Sequence, residues 1–101
     1  MNGDDIIVTI DPDLEELIPV FMENRNKDVQ NLKTASAVND FEALRSTGHS
    51  LKGVGGGYGF TRITEIGAEI ETFAKMKDIE KINKYITELE EYLDKVEIRF
   101  E

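Results

Sequence analysis

His49 is the only histidine among 101 residues, and Ser50, Leu51, Lys52 and Gly53 follow it. With an ordinary pKa of about 6.5, an imidazole is largely neutral near pH 7 and keeps a lone pair on one ring nitrogen, ready to act as nucleophile or base. The chain has no cysteine, so thiolate chemistry and disulfides are excluded, and one histidine cannot build a multi-histidine zinc site. A carboxylate-bridged metal bundle would need Glu three residues before the histidine, where Ser46 stands. No metal site is expected.

Residues 48–59 read Gly-His-Ser-Leu-Lys-Gly-Val-Gly-Gly-Gly-Tyr-Gly and hold six of the eight glycines. A phosphate-cradling loop fails on spacing: no window gives G-x-G-x-x-G, and Lys52 precedes Gly53 with no strand upstream. Kept as a helix, the stretch sorts by face. Gly48 and Gly55 fall with Leu44, Leu51 and Tyr58 on a core side, where they would admit a neighbouring helix closely. Lys52, Gly53 and Gly56, at plus three, plus four and plus seven, share an outward stripe with His49, so the imidazole is open to another protein's active site. Interior helical glycines cost roughly 0.8 to 1 kcal/mol each, so Gly48, Gly53, Gly55, Gly56 and Gly57 forgo on the order of 4 to 5 kcal/mol of the roughly 5 to 15 available to a domain. An offsetting gain is expected.

The elements that must position these residues follow from hydrophobic spacing. A first helical segment opens at Asp11-Pro12, with Leu14, Leu17, Ile18, Phe21, Met22, Val29 and Leu32 on one side. Pro19 inside it predicts a kink, or a short helix abutting a longer one, near Leu17 to Val20. A second begins after the N-cap Asp40 and carries Phe41, Leu44, Gly48, Leu51, Gly55 and Tyr58 inward, with Gly59 placed as a C′ glycine. A third starts near Thr61 with Ile63, Ile66, Ile70, Phe73 and Ala74, and a fourth at Asp78 with Ile79, Ile82, Ile86, Leu89, Leu93 and Val96. Short connections favour antiparallel neighbours, so the expected fold is all-α: an up-down-up-down four-helix bundle over residues 11–101, preceded by an N-terminal arm, 1–10. Ile6 to Ile10 and Val96 to Phe100 are rich in β-branched residues, but an ordered arm and a frayed last turn are preferred over paired strands.

Twenty-one acidic against twelve basic residues give a net charge of -9 and a pI near 4.6, which argues against nucleic acid or anionic lipid as partner and favours a basic protein surface. No apolar run approaches the roughly 18 residues of a membrane span, and Met-Asn-Gly-Asp-Asp lacks the basic start of a secretory signal. A soluble, cytoplasmic, monomeric single domain is expected.

His49-Ser50-Leu51-Lys52-Gly53, with Gly59 ten residues after the histidine, Leu44 before it and Ile63, Ile66 and Ile70 beyond, resembles the H-x-L-K-G signature of histidine phosphotransfer domains. Members commonly carry Ala where Gly48 stands, and the Gly55-Gly56-Gly57 run is richer in glycine than usual. The resemblance implies a phosphorelay intermediate in which His49 takes a phosphoryl group from a sensor or hybrid histidine kinase, or from a receiver-domain Asp, and passes it to the Asp of a response-regulator receiver. No cofactor is implied for this chain, since the receiver contributes the acidic pocket and its Mg²⁺. Lys52, one turn on, would offset the charge placed on the ring nitrogen. If the second and third helices run antiparallel about residue 60, His49 is level with Glu71, and Arg45 with Lys75. Family members often place Gln or Glu there, bonded to the other imidazole nitrogen, and this orienting role carries over to Glu71. Arg45 and Lys75 are candidate partner contacts. The competing reading is a helical adaptor that binds a receiver without transferring anything.

Overall fold

The structure, a computed structural model, describes residues 6–101. The element order is β1 (Ile6–Ile10), a short 3-10 helix (Pro12–Leu17), α1 (Ile18–Ala37), α2 (Phe41–Gly55), a 3-10 turn (Gly56–Tyr58), α3 (Thr61–Lys75), α4 (Ile79–Lys95) and β2 (Val96–Phe100). The helix starts have clear physical causes. The carboxylates of Asp40 and Asp78 accept from the backbone N–H of Ala43 and Lys81, each satisfying a donor that has no partner within its helix. Pro19 marks a junction, as the spacing predicts: the Pro12–Leu17 turn abuts α1, and Pro19 lies in the first turn of α1, where its missing N–H costs nothing.

The four helices form an antiparallel bundle around Leu32, Leu44, Leu51, Ile63, Ile66, Ile70, Ile82 and Leu89, all fully buried. Side-chain pairs show the alternating directions: Gly55 meets Thr64 while Gly48 meets Glu71, Tyr85 meets Glu69 while Glu88 meets Arg62, and Asn83 meets Ser36 while Glu90 meets Lys33. Phe60, in the turn before α3, is fully buried and stacks on Phe21 with ring centroids 4.9 Å apart. The sequence reading left it out because a turn residue belongs to no periodic face. Leu17, expected inward, is half exposed because the 3-10 turn rotates it off the α1 stripe.

The ends depart from the expected arm and frayed turn. β1 pairs in parallel with β2, Ile6 opposite Val96 through Ile10 opposite Phe100, and the Glu101 N–H donates to the Ile10 carbonyl. In this register Ile6, Val8, Ile10, Val96, Ile98 and Phe100 all face one side and pack on the bundle core, leaving Ile7, Thr9, Glu97 and Arg99 on the other. β1 passes beside Gly59, whose φ of 91° is the left-handed turn conformation expected of a C′ glycine. Of the predicted arm, residues 6–10 are thus a paired strand, and 1–5 lie outside the described residues.

Lys77 follows α3 with φ 58°, a conformation that costs an L residue roughly 1 to 2 kcal/mol. Lys77→Gly is expected to stabilise the protein by about 0.5 to 1 kcal/mol once the greater freedom of the unfolded chain is subtracted. A urea midpoint that fails to rise at constant slope would contradict this.

Candidate functional site

His49 lies in the middle of α2 and is 65% exposed, while Glu71 on α3 is 7% exposed. The distance from His49 Nδ1 to Glu71 Oε2 is 3.0 Å. The second carboxylate oxygen, Oε1, lies 2.9 Å from Lys52 Nζ, and Lys75 Nζ stands 3.9 Å from Oε2. A single buried carboxylate therefore gathers three of the residues picked out in the sequence, His49, Lys52 and Lys75. The helical count that set His49 level with Glu71 holds at the atomic level.

The Lys52 ammonium donates a hydrogen bond to Glu71 and holds its carboxyl below the usual carboxylate range, against burial, which acts the other way; the His49 contact adds to the lowering. An ionised carboxylate only accepts hydrogen bonds, so the proton in the His49 contact sits on Nδ1, and Nε2 keeps the lone pair. A carboxyl held low in the folded state adds stability above its unfolded pKa, near 4.5, and that contribution is lost as pH falls through the lowered value. Glu71→Gln is expected to unfold at lower urea than wild type at pH 7, with the gap closing as pH drops below 4.5. A gap independent of pH would show that the charge plays no part.

Backbone contact brings α3 near enough for this arrangement. A Cβ on Gly48 would lie 2.7 Å from Glu71 N and 2.9 Å from Gly67 O, and one on Gly67 would lie 2.5 Å from Lys52 N and 2.7 Å from Gly48 O. Only a glycine pair permits this approach, which is the offset the glycine count called for. Gly55 packs as closely on Thr64. Gly67 was missed in the sequence. The available signal was its place four residues after Ile63 and four before Glu71, the side of α3 that meets α2.

The outward glycines behave differently. A Cβ on Gly53 would meet nothing within 4 Å, and one on Gly56 would make an ordinary 3.5 Å contact with Thr64 Oγ1. Both are exposed, and α2 tightens to a 3-10 turn at Gly56. Arg45 is not drawn into the site: its guanidinium bonds Glu42 on its own helix, which raises its pKa, and Glu71 contributes the least to that rise. Among the described residues no group of three or more His, Asp or Glu side chains could hold a metal ion, and no helix is long and apolar enough to cross a membrane.

A family model described as Hpt domain matches residues 16–98, a span that runs from the 3-10 turn before α1 to the middle of β2 and includes His49 and Glu71. The chain belongs to the Hpt domain family. The four-helix bundle, with the exposed histidine on its second helix, is thus an Hpt fold, a histidine phosphotransfer module of phosphorelays. Phosphotransferase RcsD of Escherichia coli (strain K12) is 32% identical over 74 residues, which cover 73% of this chain. The chain spans 8% of that relative's length. No solved structure gives a significant match. Within this Hpt domain β1 lies ahead of the matched span, and β2 runs two residues past its end.

Proposed function

We propose that the chain carries a phosphoryl group on Nε2 of His49, accepting it from a histidine kinase or a receiver Asp and delivering it to a receiver Asp. The observation that carries this reading is the exposed imidazole whose Nδ1 is held by a buried, ionised Glu71. In the acceptance step from a receiver, the Nε2 lone pair attacks phosphorus in line. A P–N bond forms as the P–O bond to the donor Asp breaks, and that carboxylate leaves with the electron pair. The ring keeps its Nδ1 proton and becomes cationic. Glu71 faces that positive charge, so it stabilises the transition state more than the neutral ring. Delivery is the reverse of this step.

Lys52 has a second role. Its ammonium sits beside the ring on the same stripe and is 44% exposed, so it can turn from Glu71 towards phosphoryl oxygens as negative charge arrives. Lys75 adds positive charge nearby, and Gly53 and Gly56 leave the partner's backbone room to approach. The divalent cation and the acidic pocket belong to the receiver, so this chain needs no nucleotide or metal of its own. Cytoplasmic location is part of the same proposal, since receivers and kinase catalytic domains work there. Membership of the Hpt family and similarity to a protein named a phosphotransferase support the reading. An adaptor that transfers nothing would have no use for a buried carboxylate bonded to an exposed imidazole.

The test is transfer profiling. Receiver domains of the source organism, charged with radiolabelled acetyl phosphate, are mixed with this chain. Acid-labile, base-stable label is expected to move to it from at least one of them. Receivers that all retain their label, or pass it on in acid-stable form, would refute the proposal.

A further inference from the structure

Lys75, Lys77, Lys81 and Lys84 fall within ten residues, all exposed, at the corner where α3 meets α4. The chain has 21 acidic residues, and most of its basic residues outside this corner pair with one of them. Arg25 pairs with Asp28, Lys33 with Glu90, Arg45 with Glu42 and Lys52 with Glu71. At this corner Lys75 makes only a long contact to Glu71, and Lys77, Lys81 and Lys84 have no carboxylate within ion-pair distance among the described residues.

Instead, two of the ammonium groups rest on aromatic faces. Lys81 Nζ lies 5.4 Å from the centre of the Phe73 ring, and Lys84 Nζ lies 5.3 Å from that of Tyr85. The two rings stack on each other across the α3–α4 groove. Cation–π contact holds these charges in place without neutralising them. Lys81 also stands in the first turn of α4, after the Asp78 cap, where the helix dipole disfavours a cation. Its placement there works against local helix stability. Of the nearby acids, Asp78 is occupied as the cap, and Glu80, one turn before Lys84 on the same side of α4, makes no ion pair with it among the described residues. Between Lys75 and Lys77, Met76 is 63% exposed, a flexible apolar contact surrounded by charge.

The ridge begins at the site itself, because Lys75 and His49 both approach the same Oε2 of Glu71. The geometry points to a docking ridge, Lys77, Lys81 and Lys84 flanking Met76, that steers the carboxylate-rich face of a receiver domain onto His49. This rests on the phosphotransfer reading above. A compact protein face suits the ridge better than nucleic acid or a bilayer, since an extended anionic surface would also meet the rest of a chain of net charge -9. Screening confines the attraction to roughly 8 to 10 Å at physiological salt, about the scale of such a corner.

The test is a Lys77→Gln, Lys81→Gln, Lys84→Gln triple variant. Its fold is checked by circular dichroism, and it is assayed with the receiver that transfers fastest to the wild-type chain. The second-order rate constant is expected to fall about tenfold at low salt and to converge with wild type near 0.5 M salt, with the first-order rate at saturating receiver unchanged. Lys27→Gln, on α1, serves as a charge control and should change the constant less than twofold. An unchanged salt dependence, an equal loss in the control, or a fall in the saturating rate would each overturn the ridge. Binding to phosphatidylglycerol vesicles that the triple variant loses would also overturn it, by reassigning the ridge to lipid. If no receiver shows His49-dependent transfer, the phosphotransfer reading fails first and the ridge loses its partner.

Discussion

His49→Gln is expected to abolish phosphoryl uptake, lowering the rate of transfer from a charged receiver by about three orders of magnitude or more, to the level of spontaneous hydrolysis. Glutamine keeps a polar group of similar reach at a position 65% exposed, so the fold should lose no more than about 0.5 kcal/mol. What it lacks is a ring nitrogen with a free lone pair, and no neighbouring group replaces it. Lys52 and Lys75 are engaged with Glu71, and Ser50 has no hydrogen-bonded base among the described residues. Label appearing on the Gln variant at a comparable rate would move the phosphorylation site elsewhere. Unchanged thermal unfolding alongside the lost transfer would separate chemistry from folding.

The second large effect lies where α2 and α3 touch. A side chain at Gly67 would press on Lys52 N, Gly48 O and Leu51 Cβ, all within 2.8 Å and none of them the far end of a flexible chain. Gly67→Val should therefore force the helices apart, at about 3 kcal/mol or more, outweighing the roughly 0.3 to 0.5 kcal/mol of helix propensity gained on exchanging glycine for valine. That is a large part of the stability of a domain this size. Where the variant still folds, the Glu71 carboxylate should have drawn back from His49 Nδ1, and transfer should slow at saturating receiver. Gly53→Ala is the contrast. Nothing crowds its added methyl, so it should gain about 0.5 to 1 kcal/mol. If both glycines responded alike in a urea titration, the division between a packing glycine and an approach glycine would be wrong.

That division shows what the sequence reveals and where it stops. Helix periodicity placed His49 and Lys52 on one stripe, and a count about the α2–α3 turn put Glu71 level with His49, because a short antiparallel connection fixes both. The same counting could not reveal the Gly48–Gly67 contact, since the depth of helix approach depends on both partners at once. It also set Arg45 level with Lys75, but a guanidinium follows its nearest carboxylate, and Glu42 is one turn away on its own helix. The ends were misjudged for another reason. Local propensity ranks a five-residue segment on its own merits, whereas Ile6 to Ile10 become a strand only because Val96 to Phe100, some ninety residues later, arrive in register and share an apolar face.

The pairing of these two ends also has a mechanical side. Because β1 and β2 run parallel, Ile6 and Phe100 lie at opposite ends of the ribbon. Tension applied through the two ends of the chain would pull the strands past each other lengthwise and load all their cross-links together, instead of peeling them apart one at a time. The helices carrying His49 and Glu71 sit behind that clasp. When force is applied at the two ends of the chain, the clasp must shear before the bundle feels the pull, so the contact between His49 and Glu71 is shielded from it.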